Sequence, residues 1–221
     1  EMVIADVNAA GGINGKKIEL VVADEQCKPE LATNVAAKLV SEGVKVVIGH
    51  ICSGATKAAL GIYKDAKVTV ISPSATNPPL TKSGEYPNFY RTIAADDDQA
   101  ILASGFVIDT LKGKKVAILH DKGDYGKGFA DFAKAGIEKS GKAKVVTYEG
   151  IQPGAMDYSA VIQKVRNDGA DTIVFGGYHP EASKLLSQLN KKKIKVAFIG
   201  PDGIKGDGFL KIAGKDAEGV Y

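Results

Sequence analysis

The fold class that this sequence predicts is α/β, with parallel sheets covered by helices on both faces. Three observations predict it. Short runs rich in Val and Ile alternate with amphipathic helical stretches along the whole chain. The connections from run to helix are short polar turns carrying Gly, Ser or Pro. No repeat of 20–50 residues and no low-complexity segment competes with that order. The chain has 221 residues, enough for one large domain or two lobes with a sizeable core. With 44% hydrophobic and 25% charged residues, the composition is that of an ordinary globular protein. A formal charge of +3 is too small to imply nucleic acid. No apolar run approaches the roughly 20 residues that span a bilayer.

The elements follow in order. Glu1 to Ala10 reads as the end of a helix, stopped by Gly11, Gly12 and the turn Asn14-Gly15. Because the chain opens inside a helix, with no signal peptide ahead of it, its true start is expected upstream. Ile18–Ala23 (IELVVA) reads as a strand. Pro29 opens a helix striped by Leu31, Val35, Ala36, Leu39 and Val40, and Gly43 closes it. The stretch Lys45–Thr56 (KVVIGHICSGAT) is the organising segment of the first half. Val46–Gly49 reads as a short buried strand, His50, Cys52, Ser53 and Gly54 as a polar turn. A helix from near Thr56 then carries Ala58, Ala59, Ile62 and Tyr63 on one face. A helix N-terminus after a strand presents outward backbone N–H groups, so this corner is expected to hold an anion.

Val68–Ile71 is a further strand, followed by the loop Ser72–Pro79, where Pro78-Pro79 forbids a continuing helix or central strand. Phe89–Ile93 is extended. The polar, acidic Ala94–Asp98 marks a boundary before a helix with Ile101, Leu102, Val107, Ile108 and Leu111 on its apolar face. A second series then runs strand Val116–Leu119, helix around Phe129, Phe132, Ala133 and Ile137, and strand Lys144–Tyr148. It continues with helix Tyr158–Val165, strand Thr172–Phe175, helix Ala182–Leu189 and strand Val196–Ile199. The basic run Lys191–Lys193 is a solvated turn.

Ligands of open parallel sheets bind at the carboxyl ends of the strands. There the sequence places His50 and Ser53, then Ser72, Ser74 and Thr76, then His120, Asp121 and Tyr125. Tyr178 and His179 come next, and finally Asp202. Hydroxyls and exposed amides in the first half, with aromatic rings and a carboxylate in the second, suit a small zwitterion. Its carboxylate would lie near Ser53 and Thr76, its ammonium against Asp202, with Tyr125 and Tyr178 over its apolar part. Taken singly, each residue has a plainer role. Ser53 and Thr76 can be N-caps, Asp202 a turn residue, the tyrosines packing residues and the histidines structural.

Catalytic signatures are missing: no G-x-S-x-G elbow, P-loop, G-x-G-x-x-G or H-E-x-x-H occurs. His120-Asp121 juxtaposes an acid and a base, but sequence neighbours rarely share one geometry. No histidine or cysteine spacing suits a metal, and nothing calls for a cofactor. Cys27 and Cys52 each fall just beyond a strand end. Bridging them would close a loop of about 25 residues and stabilise by roughly 3–4 kcal/mol; two buried thiols fit the spacing equally.

The segments VIGHICSGAT, SPSATNPPLT, FYRT, HDKGDYGKG, FGGYHPE and FIGPDG occur in this order. Together they closely resemble the branched-chain amino-acid binding proteins of ABC importers, across Glu1 to Tyr221. The resemblance implies a type I periplasmic binding fold, two Rossmann-like lobes with a ligand cleft between them. The lobes would be residues 1–95 and 96–221, and Ala94–Asp96 would match the first crossover between them. It implies that Ser53 and Thr76 hold the ligand carboxylate. The Ser74 carbonyl, Thr76 hydroxyl and Asp202 would receive the ammonium, with Ala75 in the same set. Ile51, Cys52, Tyr125 and Tyr178 would line the side-chain pocket. It pairs Cys27 with Cys52, and it implies a periplasmic location and delivery to a membrane permease. The same fold also serves as the sensory domain of receptors and regulators, which a helix-turn-helix or membrane segment would signal. Two departures stand out. Asp202 replaces a more usual glutamate. The family's opening strand and its later return to the first lobe have no counterpart in these residues. The first lobe is therefore expected to be incomplete and, in the isolated chain, to expose core edges and bind weakly or not at all.

Overall fold

A computed structural model describes residues 1–221. The first part contains α1 (Met2–Ala9), α2 (Pro29–Ser41), β1 (Val46–Ile48), α3 (Ser53–Asp65), β2 (Thr69–Ser72), α4 (Pro79–Lys82) and β3 (Phe89–Arg91). Then come α5 (Asp96–Gly105), β4 (Lys115–His120), α6 (Asp124–Ser140), β5 (Lys144–Gly150) and α7 (Ser159–Asn167). The chain continues through β6 (Thr172–Gly176), α8 (His179–Lys191), β7 (Ala197–Ile199) and α9 (Asp207–Ala213). Every ladder is parallel. One sheet has the order β1-β2-β3, the other β5-β4-β6-β7.

The second sheet is sandwiched. Val116 and Ile118 of β4, with Val174 and Ile199, pack against Ala100 of α5, Val107 in the turn that follows it, and Phe129 and Ile137 of α6. Ala117 and Leu119, with Ile173, Phe175 and Phe198, pack on the other side against Ile162, Val165, Leu185 and Phe209. Side chains alternate along a strand, so one covered on both faces must be apolar at successive positions. VAIL meets that requirement, and each large side chain buried there contributes roughly 1.5–3 kcal/mol.

The first sheet differs from the expectation of helices on both faces. Val47, Val70 and Phe89 point into a core with Ala36 and Leu39 of α2 and Ala59, Leu60 and Tyr63 of α3. The opposite face stays open: Val46 is 54% exposed, Ile48 73% and Tyr90 57%. Within Val46–Gly49, therefore, only Val47 is a buried strand residue. Ile18–Ala23 is no strand either. Its propensity is high, but the sheet ends at β1 and nothing pairs with the segment. A strand without a ladder partner leaves its amide groups to solvent. Its one firm tie is Asn8, whose side chain accepts from the Ile18 N–H (2.7 Å) and donates to the Ile18 carbonyl (2.8 Å).

Other boundaries moved for local reasons. α3 starts at Ser53, three residues ahead of the expected start, and Thr56 lies within its first turn with its hydroxyl on the Cys52 carbonyl (2.9 Å). Pro79 begins α4, since a proline in the first helical turn forfeits no hydrogen bond. α5 buries Ala100, Ala103 and Ser104, whereas Ile101 and Leu102 are exposed. The helix lies close against α6, where Ser104 donates to the Ala133 carbonyl (3.2 Å), and that approach admits small residues. A π-helical turn, Phe106–Thr110, continues α5 where α-helix was expected. A short 3-10 turn at Asp202–Ile204 and the helix α9 lie beyond the elements read from sequence.

Cys27 and Cys52 are disulfide-bonded, with their Cα atoms 5.4 Å apart, so the bridge ties the loop before α2 to the cap of α3. The sequence separation is 25. A Cys27→Ser/Cys52→Ser variant should lose about 3–4 kcal/mol of unfolding free energy in urea titrations. An unchanged midpoint would mean that other contacts already hold this loop.

Candidate ligand-binding site

The carboxyl ends of the two sheets meet. β1 and β2 deliver residues 49–53 and 72–79; β4, β6 and β7 deliver 120–125, 176–179 and 200–204. Tyr178, which follows β6, packs against the core of the first sheet.

On the first wall, the Ser72 hydroxyl folds the loop after β2. It donates to the His50 carbonyl and accepts from the N–H groups of Ser74 (3.2 Å) and Ala75 (2.9 Å). Arg91, at the end of β3, clamps the same loop by donating to the carbonyls of Ala75 and Asn77 (both 3.0 Å). Ser53, 1% exposed at the first position of α3, accepts from the Asn77 N–H (3.1 Å). The first N–H groups of α3 have no partner within the helix, so positive potential collects beside the Ser53 hydroxyl. Thr76 is buried, its carbonyl accepts from the Asp96 N–H (3.0 Å), and its hydroxyl has no hydrogen-bond partner.

On the second wall, Tyr125 donates to Asp202 Oδ1 (2.6 Å) and accepts from the Gly203 N–H (2.8 Å). Gln99, with its amide turned to satisfy both groups, donates to Asp202 Oδ1 (3.0 Å) and accepts from the Asp202 N–H (2.9 Å). The turn has room for nothing but glycine at 203, because a Cβ there would stand 2.7 Å from the Tyr125 ring. Burial, and next the Asp202 charge, push the Tyr125 phenol far above its ordinary value, so it remains a donor. Its ring lies 5.0 Å from that of Tyr178, tilted by 34°. Asp202 is thus both a turn residue and an oriented acceptor.

Asp96 lies where the walls join. It is completely buried, and neither carboxylate oxygen has a hydrogen-bond partner. Burial lifts its carboxyl to about 7. The nearby Thr76 hydroxyl, close but outside hydrogen-bond geometry, opposes the rise, and Asp202 reinforces it. Two orphaned polar groups side by side, next to a second carboxylate, concentrate unsatisfied acceptor capacity at this junction.

Ser53, Ala75 and Thr76 therefore share one wall, and Asp202, Tyr125 and Tyr178 the other. Ser74 is half-buried beside them. Ile51 is 60% exposed, and Cys52 is buried in the disulfide. A groove of about 590 Å³ between the walls touches this set only through Cys52, Tyr125 and Tyr178. Sequence reading missed Asp96, Arg91 and Gln99. Asp96 had looked like part of an acidic boundary, Arg91 stood within the segment FYRT, and no signal marked Gln99.

His50, His120 and Asp121 serve the fold. His50 is wedged between Glu25 (3.4 Å) and the Tyr63 hydroxyl (3.2 Å), and burial lowers its pKa. His120 Nδ1 accepts from the Lys122 N–H (3.0 Å), and Asp121 accepts from the Gly123 N–H (2.8 Å). That acid and base each bond to their own turn rather than to one another.

A family model described as periplasmic binding protein matches residues 1–221. The Leu/Ile/Val-binding protein of Escherichia coli K12 is 40% identical over 220 residues, 100% of this chain and 59% of the relative. A leucine-, isoleucine-, valine-, threonine- and alanine-binding protein of Pseudomonas aeruginosa is 42% identical over 219 residues, covering 99% and 58%. The chain thus spans about three-fifths of the length of these relatives. Among solved structures, the branched-chain amino acid transporter substrate binding protein LivJ of Streptococcus pneumoniae, in complex with isoleucine, superposes with a TM-score of 0.87 at 34% identity. It covers 99% of this chain and 62% of that one.

Asp96 generates a pH prediction. Its folded value of about 7 exceeds the ordinary 3.8, so between those values the folded protein holds a proton that the unfolded chain releases. Stability from this group is present in full below the lower value and is lost as pH rises through the upper one. Asp121, lifted by burial to about 6, acts with the same sign. Asp96→Asn should flatten the fall in melting temperature from about pH 4.5 to 7.5 and raise it at the alkaline end. A variant whose melting falls as steeply as the parent's would contradict this assignment.

Proposed function

The chain belongs to the periplasmic binding protein family, with the type I fold, and from that premise we propose that the protein captures a branched-chain or similar aliphatic amino acid in the periplasm and hands it to an ABC permease. Its lobes are residues 1–95 and 96–221. The observation that carries this reading is the opposed polarity of the two ends of the site. A helix N-terminus and the Ser53 hydroxyl offer hydrogen-bond donors at one end. At the other, Asp202 and the buried, unpartnered Asp96 carboxyl offer acceptors.

The zwitterion lies between them. Its carboxylate takes the α3 amides, Ser53 and Thr76. Its ammonium takes the Ser74 carbonyl and Asp202, whose Oδ1 Tyr125 already orients. Ala75 supports the loop, its carbonyl engaged by Arg91. Tyr125 and Tyr178, with Ile51 and Cys52, cover the aliphatic side chain, where burial is worth about 25 cal/mol per Å². Closure expels water and strengthens the ionic contacts. The side chain at 202 is one methylene shorter than a glutamate, so the ammonium must lie closer to the turn. No chemical step is needed, and His50, His120 and Asp121 are already bound into structural contacts.

Isothermal titration of the full-length protein with leucine, isoleucine, valine and other amino acids tests the reading. The aliphatic ones should release heat, and silence with every amino acid would refute it. Asp202→Asn keeps an oxygen for Tyr125 but removes the charge opposite the ammonium. It should raise Kd roughly 10- to 100-fold with the melting temperature nearly unchanged.

A further inference from the structure

Three side chains outside the proposed ligand set span the two sheets. Asn77, 8% exposed on the loop after β2, donates through Nδ2 to the Asp124 carbonyl at the start of α6 (2.6 Å). Its own N–H holds the Ser53 hydroxyl (3.1 Å). Lys57, one turn into α3, pairs with the Asp124 carboxylate (2.8 Å). Residue 125, next along the chain, is the tyrosine that orients Asp202. A continuous path therefore runs from Ser53 through Asn77 and the backbone at 124–125 to Asp202, bypassing the ligand.

Gly128, one turn beyond Asp124, makes the approach possible. A Cβ at 128 would stand 2.6 Å from Asn77 Nδ2, and the next nearest atom outside its own helical turn is Asn77 Cγ at 3.8 Å. The clash is with the opposite wall alone, and its other near atom is Asn77 Cγ. Glycine in a helix interior costs stability relative to alanine. Here the residue serves the contact between walls.

We propose that Asn77, with Gly128 as its seat and Lys57–Asp124 beside it, is a latch that forms when the lobes close and sets how long the ligand is held. The inference rests on the proposed binding function. Asn77 and Gly128 are positioning residues that act through Ser53 and Asp202. Lys57–Asp124 is solvent-exposed, with 54% and 39% of its side chains accessible, so it tunes the latch in a salt-dependent way. A contact made only in the closed state raises the closed fraction and so lowers the apparent Kd in proportion.

The experiment is stopped-flow binding of leucine to the full-length protein and to Asn77→Ala, Gly128→Ala and the double variant, with melting curves recorded without ligand. Asn77→Ala should raise koff roughly five- to tenfold and leave kon within about twofold. Gly128→Ala should raise koff at least as much while melting at the same or a higher temperature, as a helical Gly-to-Ala change allows. The double variant should release ligand no faster than Asn77→Ala alone, because the added methyl then meets empty space. Binding with unchanged koff in both single variants, or additive losses in the double, would overturn the latch. Failure of the parent protein to bind any amino acid would instead overturn the function on which it rests.

Discussion

Because every ladder in both sheets is parallel, each strand returns to its starting edge through a helix, and all the strand-to-helix turns gather on one side. That constraint gathers two polar segments at the end of the first sheet and three at the end of the second, and contacts between the sheets' helices and loops join the two groups. The site is not built by any single motif. Ser53 depends on Asn77, the loop of Asn77 depends on Ser72 and Arg91, and Asp202 depends on Tyr125 from another strand's helix. The first two dependencies cross between paired strands, and the third spans β6, which lies between β4 and β7.

The energetic tension of the molecule sits at the junction of the walls. Burying Asp96 with both oxygens unpartnered is costly, and the fold relieves part of that cost by raising its proton affinity. The neighbouring Thr76 hydroxyl is unpartnered as well. Where a well-packed protein leaves such groups unsatisfied, a ligand that satisfies them gains the full difference.

How much could be read in advance differed between the two halves. VAIL and TIVF announced central strands correctly, because a strand covered on both faces has to be continuously apolar. IELVVA carries the same signal and forms no strand, since propensity cannot supply a ladder partner. Ile101 and Leu102 look like a buried face and are exposed, because the close approach of α5 to α6 selects Ala100 and Ala103 instead. Ser53, Thr76, Tyr125, Tyr178 and Asp202 were legible as polar and aromatic residues placed just after strands. Asp96, Gln99 and Arg91 were not, since their importance arises from neighbours distant in the chain.

The linear order of residues was enough to specify the α/β class, the parallel direction of the strands and the residues standing at their carboxyl ends. These properties derive from periodicity and local turn chemistry, which act over a few residues. Tertiary structure alone decided which of those residues meet, that one sheet is covered on a single face, that Asp96 is buried without a hydrogen-bond partner, and that Gly128 leaves room for Asn77. Such properties depend on distances between segments tens of residues apart, and no local pattern encodes them.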